Sequence, residues 1–258
     1  MKIRQRDIDI LEKIKQIKAE HPEWGYRRVC AYLRLKGERI NHKRIYRIMK
    51  VSGLLVERKR RNCKPYRQVR MKIRPNRAYE LWGIDMTKIY TLEDGWCYVE
   101  VVLDWYTRKV VGYEVGHRSR GKDWQEALAM GIGEARSRGI DLNGLKLICD
   151  NGSQPTSKEF RRFCKEMGIK VIYTTYSNPK GNANTERFMR TLKEGIGYLD
   201  GIRGLEELRE LIRRFIDTYN WDYPHSAIGN MPPGLYEQIC LGLNEPESVK
   251  ENLLAVSF

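Results

Sequence analysis

The stretch LKLICDNGSQPTSKEF, residues 145–160, predicts the fold of the chain around it. It starts with a short apolar run that ends at Asp150 in an Asp-Asn-Gly sequence, which is typical of a buried strand closing in a turn. The capping box Thr156-Ser157-Lys158-Glu159 then indicates a helix, and the apolar run at residues 169–174 indicates a second strand. Strands that alternate with helices predict an α/β domain, with Asp150 at the end of one of its strands.

A second acidic residue, Glu186, lies 36 positions after Asp150, on the helix that follows the second strand. Phe188, Met189 and Leu192 form the apolar side of that helix. Taken singly, Asp150 is an ordinary turn residue and Glu186 is an ordinary first-turn acid that the helix dipole favours. The case for a functional site therefore depends on a further acidic group.

That group is Asp85, which interrupts the otherwise largely apolar strand LWGIDMTKIY at residues 81–90. An unpaired carboxylate in a buried strand is costly, so Asp85 needs a partner or a metal ion. Two more strands, at about residues 96–103 and 109–115, and a helix at residues 122–138 follow it. Three hairpin-linked strands and then alternating helices and strands predict a mixed five-stranded sheet with helices on both faces.

The order and spacing of Asp85, Asp150 and Glu186 match the acidic triad of the retroviral-integrase superfamily. The blocks CDNGSQ at residues 149–154 and ERFMRTLK at residues 186–193 resemble the second-Asp block and the Glu block of that superfamily. Over nearly its whole length, the chain resembles the transposases of bacterial insertion sequences of the type called insertion sequence 3. More narrowly, it resembles the product of the second reading frame of such an element.

The resemblance implies a ribonuclease-H-like fold, in which the first and fourth strands lie side by side and Glu186 is brought over Asp85 and Asp150. It also implies an enzyme that cleaves double-stranded DNA at the transposon ends and joins the freed 3′-hydroxyl to target DNA. Three carboxylates suit two divalent cations, with Mg²⁺ expected and Mn²⁺ as a plausible substitute. We expect three further residues at the periphery of the site, namely Asn151, Asn182 and His225.

The positive charge of the chain is concentrated in its first third. Residues 1–78 hold 25 Lys and Arg against 7 Asp and Glu, a net charge of +18, whereas the remaining residues have a net charge of −3. This asymmetry predicts a polyanionic partner, with nucleic acid as the first candidate. A membrane surface fits less well, because the basic region lacks a strongly amphipathic aromatic face.

Three helices are predicted in this basic third, at about residues 7–20, from Tyr26 to Leu35, and after the N-cap Asn41. A helix, a Gly-containing turn and a capped basic helix form the layout of a helix-turn-helix, although a small helical bundle with a solvated basic face would show the same pattern. The segments GYRR and NHKRIYRIM resemble the helix-turn-helix of the same transposase group. By helical facing, we expect DNA contacts, mostly to phosphates, from Lys43, Arg44 and Arg47.

The segment from residue 57 to residue 77 carries ten Lys and Arg, two Pro and little apolar periodicity. Such a charge run is usually solvated and disordered alone. Since it joins a DNA-binding module to a DNA-cutting core, we expect it to become ordered along phosphates. The first expected contacts come from Arg58, Lys59, Arg60 and Arg61.

The predicted organisation is a helix-turn-helix domain at residues 1–56, a basic linker at 57–78, an integrase-type core at 79–200 and a C-terminal helical extension at 201–258.

No apolar run approaches the roughly 18 residues of a membrane span, and the N-terminus lacks the apolar region of a signal peptide. We therefore expect a cytoplasmic bacterial protein that associates with the nucleoid when it binds DNA. The scattered cysteines and histidines do not form a zinc motif, and we expect reduced, mostly buried thiols.

Two positions depart from the family pattern. Tyr223 stands where the closing Tyr-Asn-x-x-Arg-Pro-His block usually has Arg, and Pro155 stands where an aromatic residue usually follows Ser-Gln.

Arg190 and Lys193 share one face of the helix with Glu186, at spacings of i+4 and i+7, so we expect them to contact DNA. The alternative is an exposed Glu–Arg pair of about 0.3–0.5 kcal/mol.

Two other functions remain open from the residues. A ribonuclease-H-type nuclease would use the same acids with water alone, but it would not explain the upstream helix-turn-helix. A DNA-binding regulator with an inactive core would predict loss of one of the three acids, and all three are present. For the transposase, we expect a homo-oligomer on DNA. The resemblance also implies that the chain works fused to, or together with, an upstream-frame product.

Overall fold

The computed structural model describes residues 4–56, 74–174, 181–197 and 201–243. The described residues fall into two compact units. The first unit holds the N-terminal helices and the segment 222–232, and the second holds the described residues from 74 to 221 together with 233–243.

The first unit is helical. A short 3₁₀ helix, Gln5–Asp7, leads into the first of three α-helices. These are α1 Ile8–Glu20, α2 Tyr26–Leu35 and α3 His42–Val51. Ile14, Val29 and Ile45 are completely buried between the helices, as their helical spacing predicts. Asn41 caps α3 as expected, because its side chain accepts the backbone N–H of Lys43 at 2.8 Å.

The second unit is built on a five-stranded sheet. The strands are β1 Leu81–Thr91, β2 Gly95–Asp104, β3 Val110–Gly116, β4 Lys146–Cys149 and β5 Lys170–Tyr173. Their order in the sheet is β3-β2-β1-β4-β5. β1, β2 and β3 pair antiparallel, while β4 is parallel to β1 and to β5. This is the predicted mixed sheet of the ribonuclease-H-like fold, with the first and fourth strands adjacent.

Helices cover both faces of the sheet. They are α4 Gly121–Ser137, α5 Lys158–Glu166, α6 Ala183–Ile196, α7 Leu205–Trp221 and α8 Pro233–Cys240. α4 lies so close to β3 that a Cβ at Gly112 would be 2.1 Å from the carbonyl oxygen of Ala127. α6 approaches the opposite face over Gly83 of β1, and it packs on α7 through Phe188 and Tyr219, whose ring centroids are 4.8 Å apart.

The structure corrects one helix start and adds a helix. The N-cap of α5 is Ser157, whose hydroxyl accepts the N–H of Phe160 at 3.2 Å, whereas the predicted capping box began at Thr156. The hydroxyl of Thr156 instead donates to the carbonyl oxygen of Gly152 at 2.7 Å, within the turn that precedes α5. The prediction did not include α8, whose first residue is Pro233, a residue type that favours the first helical position.

A buried ionic cluster attaches α8 to the sheet. Glu237 is completely buried, and its carboxylate binds Lys109 of the β3 edge at 3.0 Å and Arg138 at 2.8 Å. The hydroxyl of Tyr79 also donates to this carboxylate. A buried carboxylate is tolerated where donors of opposite charge surround it in this way.

The sequence-based boundaries remain a prediction, and the structure groups one segment differently. Segment 222–232 lies in the first unit rather than with the core, because Tyr223 packs edge-on against Trp24 with ring centroids 5.7 Å apart. Residues 57–73 and 244–258 of the predicted linker and C-terminal extension lie outside the described residues.

Among the described residues, no helix is long and apolar enough to cross a membrane. Free thiols are present at five described cysteines, and all except Cys240 are buried. The expectation of mostly buried cysteines is confirmed for this part of the chain. Burial and the neighbouring Asp150 charge raise the pKa of Cys149, so that thiol is a poor nucleophile.

Candidate active site

Asp85 and Asp150 are at the same level of two adjacent parallel strands. Gly83 of β1 pairs with Ile148 of β4, and each acid follows its partner of this pair by two residues. Residues two apart on a strand point to the same face, so both carboxylates are carried on the face that α6 approaches. Asp85 is half-buried within β1, while Asp150 is exposed just beyond the end of β4.

A close approach of α6 to β1 positions the third acid. A Cβ at Gly83 would lie 2.2 Å from the Thr185 hydroxyl and 2.3 Å from the Trp105 indole nitrogen, so only Gly allows the helix this near. The Trp105 indole N–H donates to Thr185 at 3.0 Å, and the Asn182 amide donates to the Ile84 carbonyl at 3.1 Å. These bonds fix the first turn of α6, which carries Glu186.

The charges of the three acids act on one another. Burial, together with the carboxylates of Asp150 and Glu186, raises the pKa of Asp85 to about 6. The N–H of Met86, which donates to Asp85 at 2.8 Å, opposes the rise. Lys193 on α6 lowers the same pKa. The site therefore has an excess of negative charge at a half-buried position, which is the electrostatic setting of a cation site.

The donor set fits hard divalent cations. Three carboxylates supply oxygen ligands of the kind that Mg²⁺ and Mn²⁺ prefer. Within the described residues, no three His, Cys, Asp or Glu side chains are already close enough to hold a metal ion. The Asp150 carboxylate instead accepts the N–H of Gly152 at 3.0 Å.

Lys193 and Arg190 are exposed on α6, while Phe188, Met189 and Leu192 are buried. The Lys193 charge reaches Asp85, whereas the Arg187 charge acts on Arg108 and so lies on another side of the helix. The burial of the apolar side confirms the predicted facing of the helix. DNA contact by Arg190 and Lys193 remains a prediction.

The loop after Asp150 is held from two sides. The Asn151 amide donates to the Thr174 carbonyl at 2.6 Å and so links the ends of β4 and β5. Pro155 is buried, and its carbonyl accepts the Tyr173 hydroxyl at 3.0 Å. The departure from the family pattern at Pro155 thus coincides with a packed turn. Asn151 and Asn182 both adjoin elements that carry the acids.

His225 belongs to the first unit, where its ring accepts the N–H of Ala227 at 3.3 Å. Its predicted place at the periphery of the active site stays a prediction. Tyr223, the departure from the family Arg, is buried in the same unit, and the Arg28 guanidinium lies 4.5 Å above its ring. A cation therefore occupies this neighbourhood although residue 223 is uncharged.

On the basic helix α3, Lys43 is exposed as predicted, whereas Arg44 and Arg47 are only partly exposed. Asp7 is completely buried and binds Arg44 at 2.8 Å and Arg47 at 2.7 Å. Burial opposes the ionisation of Asp7, yet the two guanidinium groups hold its pKa below its ordinary value. Arg44 and Arg47 were expected to be exposed, but they link α3 to the start of α1.

The exposed side chains of α3 are His42, Lys43, Tyr46 and Lys50. Tyr46 is 41% exposed and stands edge-on to the ring of Tyr26, with centroids 5.1 Å apart. Of the predicted DNA contacts on α3, Lys43 is therefore the one on the open face. Tyr46 was not among the predicted contacts, although its i+4 spacing from His42 places both on one face of the helix. The expected contacts Arg58, Lys59, Arg60 and Arg61 lie outside the described residues.

Family comparisons cover both units. Residues 75–179 and residues 167–233 each match a family described as "Integrase core domain". Residues 4–62 match a family described as "HTH-like domain". The first core match contains Asp85 and Asp150, and the second contains Glu186.

Curated relatives include Transposase InsD for insertion element IS2A/D/F/H/I/K of Escherichia coli, which is 30% identical over 93% of this chain and 82% of its own length. Transposase InsD for insertion element IS2-9 of Escherichia coli strain K12 is 30% identical over 93% of this chain and 80% of its own.

Among solved structures, a chain of the simian T-cell lymphotropic virus intasome in complex with PP2A regulatory subunit B56 gamma has a similar fold. Its TM-score is 0.52 at 15% identity, and the match covers 87% of this chain and 74% of that one. The chain belongs to the insertion-element transposases of the insertion sequence 3 family, which are polynucleotidyl transferases with an integrase-type core.

Proposed function

We propose that this transposase cleaves DNA at the ends of its element and joins the freed 3′-hydroxyl to a second phosphodiester, with Asp85, Asp150 and Glu186 as its metal ligands. The observation that carries the proposal is the placement of the acids. The register of β1 and β4 aligns two of them, and the contact of α6 at Gly83 brings the third. The raised pKa of Asp85 supports the same grouping.

When bound, two Mg²⁺ or Mn²⁺ ions would stabilise the negative charge on the attacking and leaving oxygens. Asp85 and Asp150 would hold them from the rigid sheet, and Glu186 would do so from the first turn of α6. The carboxylates contribute a charge of −3 against +4, which leaves the site positive for a phosphate. Lys193 adds a further positive charge on the same side.

The proposed reaction has two in-line steps. In the first, a water oxygen forms a bond to phosphorus at the transposon end while the bond to the 3′-oxygen breaks, and that oxygen leaves as a hydroxyl. In the second, this hydroxyl attacks a phosphodiester of another strand and displaces its 3′-oxygen. One phosphoester bond is made for each one broken, so the joining step needs no external energy source.

Recognition of the terminal repeats is assigned to the first unit. The open face of α3 offers His42, Lys43 and Tyr46, which combine a cation, an imidazole and a phenol on one side. Arg44 and Arg47 would act indirectly by holding α3 on Asp7. We further propose that the protein works as a homo-oligomer on DNA, and that an upstream-frame product acts with it or is fused to it.

A joining assay tests the proposal. The substrate is duplex DNA from the region that flanks the gene, supplied with a target duplex and Mg²⁺ or Mn²⁺. Products longer than the substrate would support transesterification. Cleavage without any joined product would favour the ribonuclease-H-type nuclease, and binding without either product would favour the regulator with an inactive core.

Variants on α3 test recognition separately. Lys43→Gln and Tyr46→Ala should weaken binding to the terminal-repeat duplex while the protein stays folded. Arg47→Gln should lower the melting temperature as well, because it leaves the buried Asp7 with one fewer partner. Equal melting temperatures for Arg47→Gln and Lys43→Gln would contradict the division between indirect and direct roles.

A further inference from the structure

The hairpin of β1 and β2 carries an exposed aromatic surface away from the three acids. Lys88 pairs with Tyr98 across the two strands, and Tyr90 pairs with Trp96. Residues directly opposite each other in an antiparallel pair share a face, so these four side chains stand together. The exposed fraction is 57% for Tyr90 and 51% for Trp96. We call these four residues the hairpin platform.

The side chains of the platform contact one another. The Lys88 ammonium lies 4.5 Å above the centre of the Trp96 ring. The rings of Tyr90 and Trp96 meet edge to face, with centroids 5.4 Å apart. Such contacts hold exposed rings in place, so their faces are available to a ligand at a low cost in side-chain entropy.

The tip of the hairpin is fixed as well. The backbone N–H groups of Leu92 and Glu93 donate to the carbonyls of Ile202 and Arg203 at 2.9 and 2.8 Å. Asp94 accepts the N–H of Leu205, at the first residue of α7, at 2.8 Å. The platform therefore belongs to the sheet of the core, on β1 and β2, and it faces the side of the sheet opposite to Asp85.

We propose that the hairpin platform binds unstacked nucleobases of a DNA strand. Aromatic rings that offer their faces beside a cation suit a ligand that has both flat bases and phosphates. The positive charge at this surface is that of Lys88, which stands beside the ring of Trp96. The proposal rests on the proposed function only in taking DNA as the partner.

The test uses the full-length Asp85→Asn protein without divalent metal, so that catalysis plays no part in the readout. A single-stranded oligothymidylate labelled with a fluorophore is titrated at a salt concentration high enough to weaken phosphate contacts. Trp96→Ala and Tyr90→Ala should each lower the affinity by about tenfold, and Trp96→Phe should retain most of it. Lys88→Gln should reduce the salt dependence of binding by roughly 0.7 in slope.

Met130→Ala is the matched control, because Met130 on α4 is an apolar side chain of similar exposure, 47%. Its affinity for the oligonucleotide should equal that of the parent. Crosslinking with 5-iodouracil in the oligonucleotide should label Tyr90 or Trp96, as peptide mapping would show. Unchanged affinity in Trp96→Ala together with labels elsewhere would overturn the proposal. A shift in sedimentation of Trp96→Ala at unchanged affinity would do so too, since it would identify the platform as a contact between copies of the chain.

Discussion

Two carboxylates on neighbouring strands of this sheet have opposite surroundings. Asp104 at the end of β2 is completely buried, and five donors surround it, from the backbone of Tyr79, Tyr106 and Thr107 and the side chains of Trp82 and Thr107. Asp85 in the middle of β1 accepts the N–H of Met86 and faces the negative charges of Asp150 and Glu186.

The difference separates an acid that maintains the fold from an acid that is available to a ligand. The hydrogen bonds of Asp104 are satisfied within the protein, so its removal should cost stability. Burial, with the like charges of Asp150 and Glu186 beside it, raises the pKa of Asp85 to about 6. Residue type and position in a strand do not distinguish the two cases. The inventory of donors around each carboxylate does.

The largest expected effect tests the three acids of the proposed site. Asp85→Asn, Asp150→Asn or Glu186→Gln should each reduce joining of terminal-repeat DNA by at least about ten-thousandfold, which is about 5 kcal/mol or more in the activation free energy. DNA binding and the melting temperature should stay near those of the parent, because the charge serves metal binding. Appreciable metal-dependent joining by one of these variants would remove that residue from the site.

The next effect tests the satisfied acid. Asp104→Ala should lower the free energy of unfolding by about 3–4 kcal/mol, because several buried N–H groups lose their acceptor. Urea unfolding measures the change, and Glu210→Gln on the exposed side of α7 serves as a control with little effect. Should Asp104→Ala prove as stable as Glu210→Gln, the hydrogen-bond inventory would not identify structural acids in this sheet.

Glu100 of β2 sharpens the comparison, because it is buried and neither of its carboxylate oxygens has a hydrogen-bond partner among the described residues. Burial raises its pKa to about 7 from an ordinary 4.5, and the charges of Asp123 and Glu114 act in the same direction. The folded state thus favours the protonated form. The stability that this form provides is present below about pH 4.5 and is lost as the pH rises through 7.

Glu100→Gln removes this pH dependence. Its gain in unfolding free energy over the parent should grow from pH 5 to pH 8 and approach about 3 kcal/mol. Urea titrations at several pH values, with Glu159→Gln on the exposed start of α5 as control, measure the difference. A gain that does not change with pH would mean that Glu100 keeps its charge throughout this range.

A smaller effect concerns the assembly of the site. Gly83→Ala adds a methyl group that meets Thr185 and Trp105, so α6 must shift away from β1. We expect a loss of about 1–3 kcal/mol in stability and a larger relative loss of joining than of terminal-repeat binding. Gly133→Ala on α4, where a Cβ meets open space, is the matched control. Parallel losses of joining and binding in Gly83→Ala would argue against a role for this contact in positioning Glu186.

The smallest effect concerns the cation nearest the acids. Lys193→Gln should weaken both joining and binding of transposon-end DNA by about tenfold, the size expected for one charged hydrogen bond to a phosphate. Arg187→Gln changes a charge on another side of the same helix and should do less. Equal effects of the two substitutions would show that α6 does not present Lys193 to DNA.

The sequence predicted the sheet and the helices because their periodicity is local. The apolar runs of β1 and β4 and the spacing of Phe188, Met189 and Leu192 on α6 reflect neighbours within a few residues. The adjacency of Asp85 and Asp150 was implied by the family resemblance, because the first and fourth strands lie side by side in the ribonuclease-H-like fold. The structure confirms these features of the fold.

Features that the sequence did not reveal depend on pairs far apart in the chain. Asp7 meets Arg44 and Arg47 across 37 and 40 residues, and helical facing alone placed those two arginines in solvent. Glu237 meets Lys109 across 128 residues, and α8 was missed together with it. Local sequence patterns carry no information on such partners, because the pattern around a single acidic residue is the same whether its side chain is exposed or paired with a distant basic residue.

In the proposed active site, the contact between α6 and Gly83 decides whether all three acids stand together. Asp85 and Asp150 form with the sheet, whereas Glu186 arrives only when α6 occupies its place on β1. Every ligand that binds the docked arrangement better than the undocked one must raise the population of complete sites by the ratio of the two affinities. A correctly seated DNA end is such a ligand if it touches α6 as well as the sheet, and an incorrectly seated one leaves that population unchanged.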